Sequence, residues 1–322
     1  MLFGSLRFVR NSASRIAVGS EREEFRDQAC RSVRVWTLRG SSTLRAYLQE
    51  LMQAPRIQVD HKHCAALRKD WVRALNDFDE AVGKCRGALS EKRVHALRLS
   101  GRRCIPILEI MRALHPRDAT WRAARHLVKG IIRVLGPLRD AQVRQLRLKE
   151  MNGVGTRALI SRAKAEEQRA RPSAKAALGL VGRLPVRALE DALSLGQPQE
   201  LDELSQAISR LMHERQRTMQ ERKVAVHVPE IMSIHRARIS LKRYRYLLLA
   251  IKPCLNAQQR KRLPALKTVQ TAIGEYHDAA LFRAWLKTSG KPGAQIPARS
   301  HGSDSRKDTV ALRKVLERTW TL

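Results

Sequence analysis

The sequence predicts an all-α fold made of two copies of one helical unit. Three observations predict it. Apolar residues recur at intervals of three and four from Cys64 onward, as in Trp71, Leu75, Phe78 and Val82, which is the spacing of an amphipathic helix. No stretch shows the strict alternation of a half-buried strand. Two separate sequence blocks recur at nearly one offset, the signature of an internal repeat.

The elements follow in chain order. Residues 1–62 mix Arg, Ser and short apolar stretches without sustained period. They are expected to form a basic, poorly ordered N-terminal extension with one helix near 43–52. The first twenty residues carry Arg7, Arg10 and Arg15 and no acid. That composition is like an organelle presequence, but a disordered basic tail or an early start codon explains it more simply. His61-Lys62-His63 reads as a solvated linker. Helices are then expected near 64–88, 91–114, 118–134, 137–150 and 156–178. Ser90 is placed to N-cap the second of these. Gly136-Pro137 separates the third from the fourth. A Gly-, Pro- and Ser-rich stretch at 179–198 reads as a loop. Further helices are expected near 200–224, 230–251, 257–273, 275–288 and 306–319. Pro229 stands where the first turn of one would begin, Gly274 divides two others, and 288–304 reads as a second loop.

The repeat is carried by two blocks. Val94-His95-Ala96-Leu97-Arg98-Leu99-Ser100 matches Ile234-His235-Arg236-Ala237-Arg238-Ile239-Ser240, with the histidines 140 residues apart. Lys129, Leu135-Gly136 and Asp140 match Lys267, Ile273-Gly274 and Asp278 at an offset of 138. The chain is expected to hold one unit at about 65–195 and another at about 200–320, paired about a pseudo-twofold axis.

Charge restricts the function. Lys+Arg number 63 against 30 Asp+Glu, a formal net charge of +33, and the isoelectric point is near 11.3. Such a chain repels itself, so the imbalance should serve an anionic partner: nucleic acid, an anionic membrane surface or a phosphate polymer. The 46 arginines against 17 lysines favour forked contacts to phosphate oxygens. Aromatic residues make up only 4% of the chain, which disfavours a single-strand binder that stacks bases on rings. The cysteines, Cys30, Cys64, Cys85, Cys104 and Cys254, are odd in number and form no CxxC. They suit a reducing cytoplasm and argue against a disulfide framework or a thiolate metal site. No run of 18 apolar residues occurs, so no transmembrane helix is expected.

The cations form stripes. His235, Arg238, Lys242 and Arg245 fall within about 80° of helical arc, with Ile234, Leu241, Tyr244 and Leu248 on another face. The first copy supplies His95, Arg98 and Arg102 with Arg103 beside them. Ile105 then takes the place of the last cation, and Pro106 should kink or end the helix. A second stripe comprises Arg122, Arg125, Lys129 and Arg133. Its counterpart keeps Arg260 and Lys267 but has Leu263 and Thr271 where arginines stood. A charge run is ordinarily a solvated face, but solvated faces mix signs because opposite charges at i,i+4 support a helix. Single-signed stripes at corresponding places point to anion binding. His95 and His235 are suited either to donate to a phosphate oxygen, with nearby arginines holding them neutral in the free protein, or to pack between helices. Neither has a ligand partner at i+4, so no metal is expected. Two-metal phosphoryl chemistry needs converging carboxylates. Asp140 and Asp278 have few acidic neighbours, and pairing with a local arginine or a helix end is their simpler role. No cofactor and no catalysis are expected.

His-x-x-Arg followed by paired basics, then a later Lys and Leu/Ile-Gly-x-x-x-Asp, all occurring twice, resembles the CHAD family (conserved histidine α-helical domain). The resemblance covers about residues 65–320 and assigns 63–322 to a CHAD-like domain. It is most specific over Ile234–Tyr246 and Leu266–Asp278. It implies two pseudosymmetric four-helix bundles enclosing a basic channel, binding of inorganic polyphosphate, and association with cytoplasmic polyphosphate granules. By that match the contacts would be His95, Arg98, Arg102, Arg103, Lys129, Arg133, His235, Arg238, Lys242, Arg243, Arg245 and Lys267. The helical stripes add Arg122, Arg125 and Arg260. Many members carry a CYTH triphosphatase domain with a Glu-x-Glu-x-Lys motif. The nearest stretch here, Glu21-Arg22-Glu23-Glu24-Phe25, lacks the lysine, so a stand-alone binding module is expected. An RNA- or DNA-binding protein is the first alternative and a metal-dependent phosphoanhydride hydrolase the second. A membrane-surface role is weaker, because the apolar faces look committed to a core.

Overall fold

The computed structural model of the chain describes residues 57–151, 156–194, 197–224 and 231–289. The helices expected at 43–52 and 306–319, and the extension up to residue 56, lie outside these residues. Among the described residues every regular element is helical. They are α1 (His61–Gly87), α2 (Glu91–Leu114), α3 (Ala119–Glu150), α4 (Thr156–Gly179), α5 (Val186–Ala192), α6 (Pro198–Val224), α7 (Ile231–Ala250), a 3-10 turn (Lys252–Cys254) and α8 (Ala257–Ser289).

Local chemistry fixes the helix starts. Asp60 caps α1, accepting from the backbone N–H of His63 at 2.7 Å. His61-Lys62-His63 is therefore the first turn of a helix and not a linker. Ser90 caps α2 as expected, accepting from Arg93 N–H. Residues 57–60 also differ from the expectation of a loose extension. Ile57 and Val59 are buried, and their N–H groups donate to Ser209 Oγ (3.1 Å) and Ser205 Oγ (3.0 Å) of α6. An extended segment points alternate side chains to one face, and here that face is Ile57 and Val59.

Three expected interruptions are overridden. Helix α3 runs through Gly136-Pro137, and α8 runs through Gly274. Helix α2 passes Pro106 and ends only at Leu114. A proline removes one ladder hydrogen bond, but the residues around each break are buried: Cys104, Ile107 and Leu108; Leu135 and Leu138; Val269 and Ile273. Burying one such side chain is worth about 1.5–3 kcal/mol, so the two or three at each break together offset the ~1 kcal/mol cost of a helical glycine and the ~3 kcal/mol cost of a helical proline. The stretch at 179–198 is not wholly a loop, since α5 forms within it and buries Leu189.

Helix α2 is the hub. It packs against α1, α3, α6 and α7, while α7 packs against α6 and α8. One apolar cluster runs from α1 through α2 and α3 to α7, with Trp71, Phe78, Leu97, Leu108, Trp121 and Leu247 within it. Trp71 Nε1 donates to the carbonyl of Ala250 at 2.7 Å, fastening α1 to the end of α7. Gly101 allows α2 to approach α3 closely. A Cβ there would stand 3.0 Å from Ile132 Cδ1 and 3.2 Å from Phe78 Cε2. Gly101→Val is therefore expected to cost about 1–3 kcal/mol through overpacking. Urea unfolding of the variant reads this directly, and an unchanged midpoint would show that the α2–α3 contact has slack.

Candidate anion-binding site

The two His-led stripes meet where α2 lies against α7. Lys242 of α7 is half-buried and stands within electrostatic reach of Arg98 and Arg102 from α2, Arg238 from its own helix, and Asp278 from α8. Burial, then the positive Arg102 and Arg238, push its ammonium down to about 7, with Asp278 opposing and Arg98 adding to the shift. Three guanidiniums and one ammonium thus share a region where Asp278 acts on Lys242 and Asp140 on Arg98, so the cations outnumber the carboxylates two to one.

Each stripe residue is held by a defined contact. Arg98 is disfavoured as a cation by burial first and then by Arg102, but a guanidinium stays charged in proteins. Its Nη1 donates to the carbonyl of Ile132 at 2.5 Å, and the Asp140 carboxylate favours its charge. Arg98 Nη1 passes 3.7 Å from where a Cβ of Gly136 would be. Arg238 does the same against Gly274, at 3.7 Å, and pairs with Asp278 Oδ1 at 3.2 Å. The glycines are therefore flat places on α3 and α8 over which an arginine lies. The simpler role expected of Asp278, pairing with a local arginine, is what the geometry shows. Among the described residues Arg238 Nε is a buried donor with no protein acceptor.

His235 is partly exposed, and its Nδ1 lies 2.8 Å from Nε2 of His277, a buried residue of α8. Nδ1 of His277 lies 3.3 Å from Asp278 Oδ1. Burial, then His277, Arg238 and Lys242, lower the proton affinity of His235. His95 is exposed, and burial of part of its ring, then Arg139, lower its proton affinity, with Glu91 opposing and Arg102 and Arg98 adding.

The second stripe reaches α7 through Lys129, beside Arg243. Lys129 of α3 is shifted down by burial and by Arg125, with Glu109 opposing and with Arg243 of α7 and Arg133 adding. Arg125 is committed elsewhere: its Nε and Nη2 bond Glu109 Oε1 at 3.0 and 2.8 Å. Arg215 of α6 takes the other oxygen of Glu109 at 2.9 Å. Arg245 turns away from its stripe, donating to Gln270 Oε1 at 2.7 Å and lying over the Tyr246 ring. Arg260 donates to the carbonyl of Pro253. Arg103, Arg122, Arg133, Arg243 and Lys267 are exposed.

Sequence reasoning missed His277, Arg139, Glu109 and Arg215. His277 and Arg139 each precede a repeated aspartate and stand 138 residues apart, a signal that the Gly-x-x-x-Asp block could have yielded. Glu109 and Arg215 left no comparable pattern, because their partners come from other helices.

The CHAD domain family model matches residues 61–287, most of the chain and all of α1 to α7. The chain belongs to the CHAD family. Its fold is also that of solved CHAD structures. The CHAD domain from the plant Ricinus communis is 16% identical, with a TM-score of 0.51, over 83% of this chain and 91% of that one. PptA from Streptomyces chartreusis is 18% identical, with a TM-score of 0.55, over 80% of this chain and 99% of that one. No curated protein matches the chain. At these identities the likeness concerns the all-α CHAD fold. Among the described residues, no helix of this CHAD domain is long and apolar enough to cross a membrane.

Proposed function

We propose that this CHAD domain binds inorganic polyphosphate without hydrolysing it, and that it does so in the cytoplasm at polyphosphate granules. The observation that supports this reading is the convergence of Arg98, Arg102, Arg238 and Lys242, four cations beside the two carboxylates of Asp278 and Asp140. Like charges held together in a partly buried region oppose one another. A densely charged anion threaded among them relieves that repulsion and supplies acceptors for guanidinium forks. Lys129 and Arg243, linked electrostatically on α3 and α7, extend the cationic surface so that a polymer has more to hold than a single phosphate does. The resemblance to polyphosphate-binding CHAD domains points the same way, as does the approach of Arg98 and Arg102 of one His-led stripe to Lys242 of the other.

The test is a titration at several salt concentrations with long-chain polyphosphate and with tripolyphosphate. Each additional phosphate contact releases counterions, so the long chain should bind far more tightly and with a steeper salt dependence. Equal affinity for the two would overturn the proposal. Ready displacement of polyphosphate by equimolar RNA at one fixed salt would favour the nucleic-acid reading instead. The same incubations with Mg²⁺ are expected to release no orthophosphate.

A further inference from the structure

The contact between His235 and His277 constrains where protons can sit. Their facing nitrogens, His235 Nδ1 and His277 Nε2, are 2.8 Å apart, so one proton lies between them and a second would force two N–H groups together. Nδ1 of His277 faces the carboxylate of Asp278 at 3.3 Å, and a bare ring nitrogen there would set a lone pair against an anion. His277 Nδ1 therefore carries a proton. Two protons then complete the neutral pair, and the remaining nitrogen, Nε2 of His235, is bare.

A bare nitrogen is an acceptor and repels a phosphate oxygen. His235 offers a donor at Nε2 only if the pair takes up a third proton. This holds wherever the positive charge is drawn, on His235 or on His277, because in both cases the outer nitrogen gains a hydrogen. We propose that the His235–His277 pair is a proton-gated contact: polyphosphate binds with uptake of a proton by the pair, so that binding strengthens as pH falls. The inference rests on the polyphosphate reading and adds its regulation.

The groups around the pair set the gate in the free protein. Arg238 and Lys242 face it from α7, Asp278 from α8, and Arg98 and Arg102 reach Lys242 from α2. Arg147 of α3 also approaches, donating to the backbone carbonyl of Asp278 at 2.6 Å. The cations outnumber the one carboxylate and oppose a further positive charge. Burial and His277 push in the same direction, and the proton affinity of His235 is accordingly lowered. A polyanion reverses the local sign and favours the proton. The first half has no equivalent. The residue 138 positions before His277 is Arg139, a permanent cation that pairs with Glu91.

The experiment measures binding of long-chain polyphosphate to the full chain calorimetrically, in buffers of different ionisation enthalpy, across pH about 6 to 8, the range around the ordinary histidine value of about 6.5. Wild type should take up protons on binding. His235→Gln offers an amide donor that does not titrate, so its uptake should fall by up to about one proton. Lys242→Arg separates the lysine's share and should leave the histidine share in place. Uptake by His235→Gln equal to wild type overturns the gate, as does tight binding with no uptake. Nitrogen NMR of the unliganded wild type checks the starting state: at mildly basic pH, His235 should be protonated at Nδ1 and bare at Nε2. A protonated Nε2 there also overturns it. Absence of binding at every pH sinks the polyphosphate reading and the gate with it, whereas binding without uptake sinks the gate alone.

Discussion

Replacing Arg102 and Lys242 together by glutamine is expected to weaken long-chain polyphosphate binding by about a hundredfold or more. A hydrogen bond to a charged group contributes about 1.5–3 kcal/mol, and about 1.4 kcal/mol is a factor of ten. Two such contacts at the α2–α7 contact therefore give two to four decades. Fluorescence or calorimetric titration at fixed salt measures it, and a loss below fivefold would remove this region from the binding surface. The same variant should fold at least as stably as wild type. The Lys242 ammonium gives up its proton near pH 7 in the folded chain and near 10.5 in the unfolded one. Between those values the unfolded chain binds more protons, so this group's unfavourable contribution fades as pH rises and is fully present below 7. Removing the ammonium removes that contribution. Weaker binding with undiminished stability separates a ligand-binding role from a structural one.

Glu109→Ala is expected to cost about 3–5 kcal/mol of folding stability, the usual consequence of breaking a buried ion pair from one side. The carboxylate is 10% exposed and holds Arg125, 17% exposed, and Arg215, 13% exposed. Truncation leaves two guanidiniums largely out of water, Arg215 keeping only the long contact to the exposed Glu214 at 3.7 Å. Chemical denaturation reads the loss, and a change under about 1 kcal/mol would mean that water replaces the carboxylate freely. Glu109→Gln, which keeps the acceptor oxygen, should lose less.

The sequence was most legible where one helix settles the matter by itself. The stripes His95–Arg98–Arg102 and His235–Arg238–Lys242 follow from angular spacing alone, and the structure brings members of both to one place. Legibility failed where a second helix decides. Arg245 lies at the edge of the arc spanned by its stripe, far enough round to meet Gln270 of α8. Arg125 has good stripe spacing, but Glu109 from α2 claims it. His277 was hidden because its partner is 42 residues away. The missed continuity of α3 and α8 has the same origin. Local punctuation at Gly136-Pro137 and Gly274 is real, but the packing of Leu135, Leu138, Val269 and Ile273 overrides it.

The indole bond from Trp71 to the Ala250 carbonyl ties residues near the start of the domain to residues near its end, and Arg147 does likewise at Asp278. A chain severed in the segment between α5 and α6 would leave each piece with broken cross-links and an uncovered apolar face.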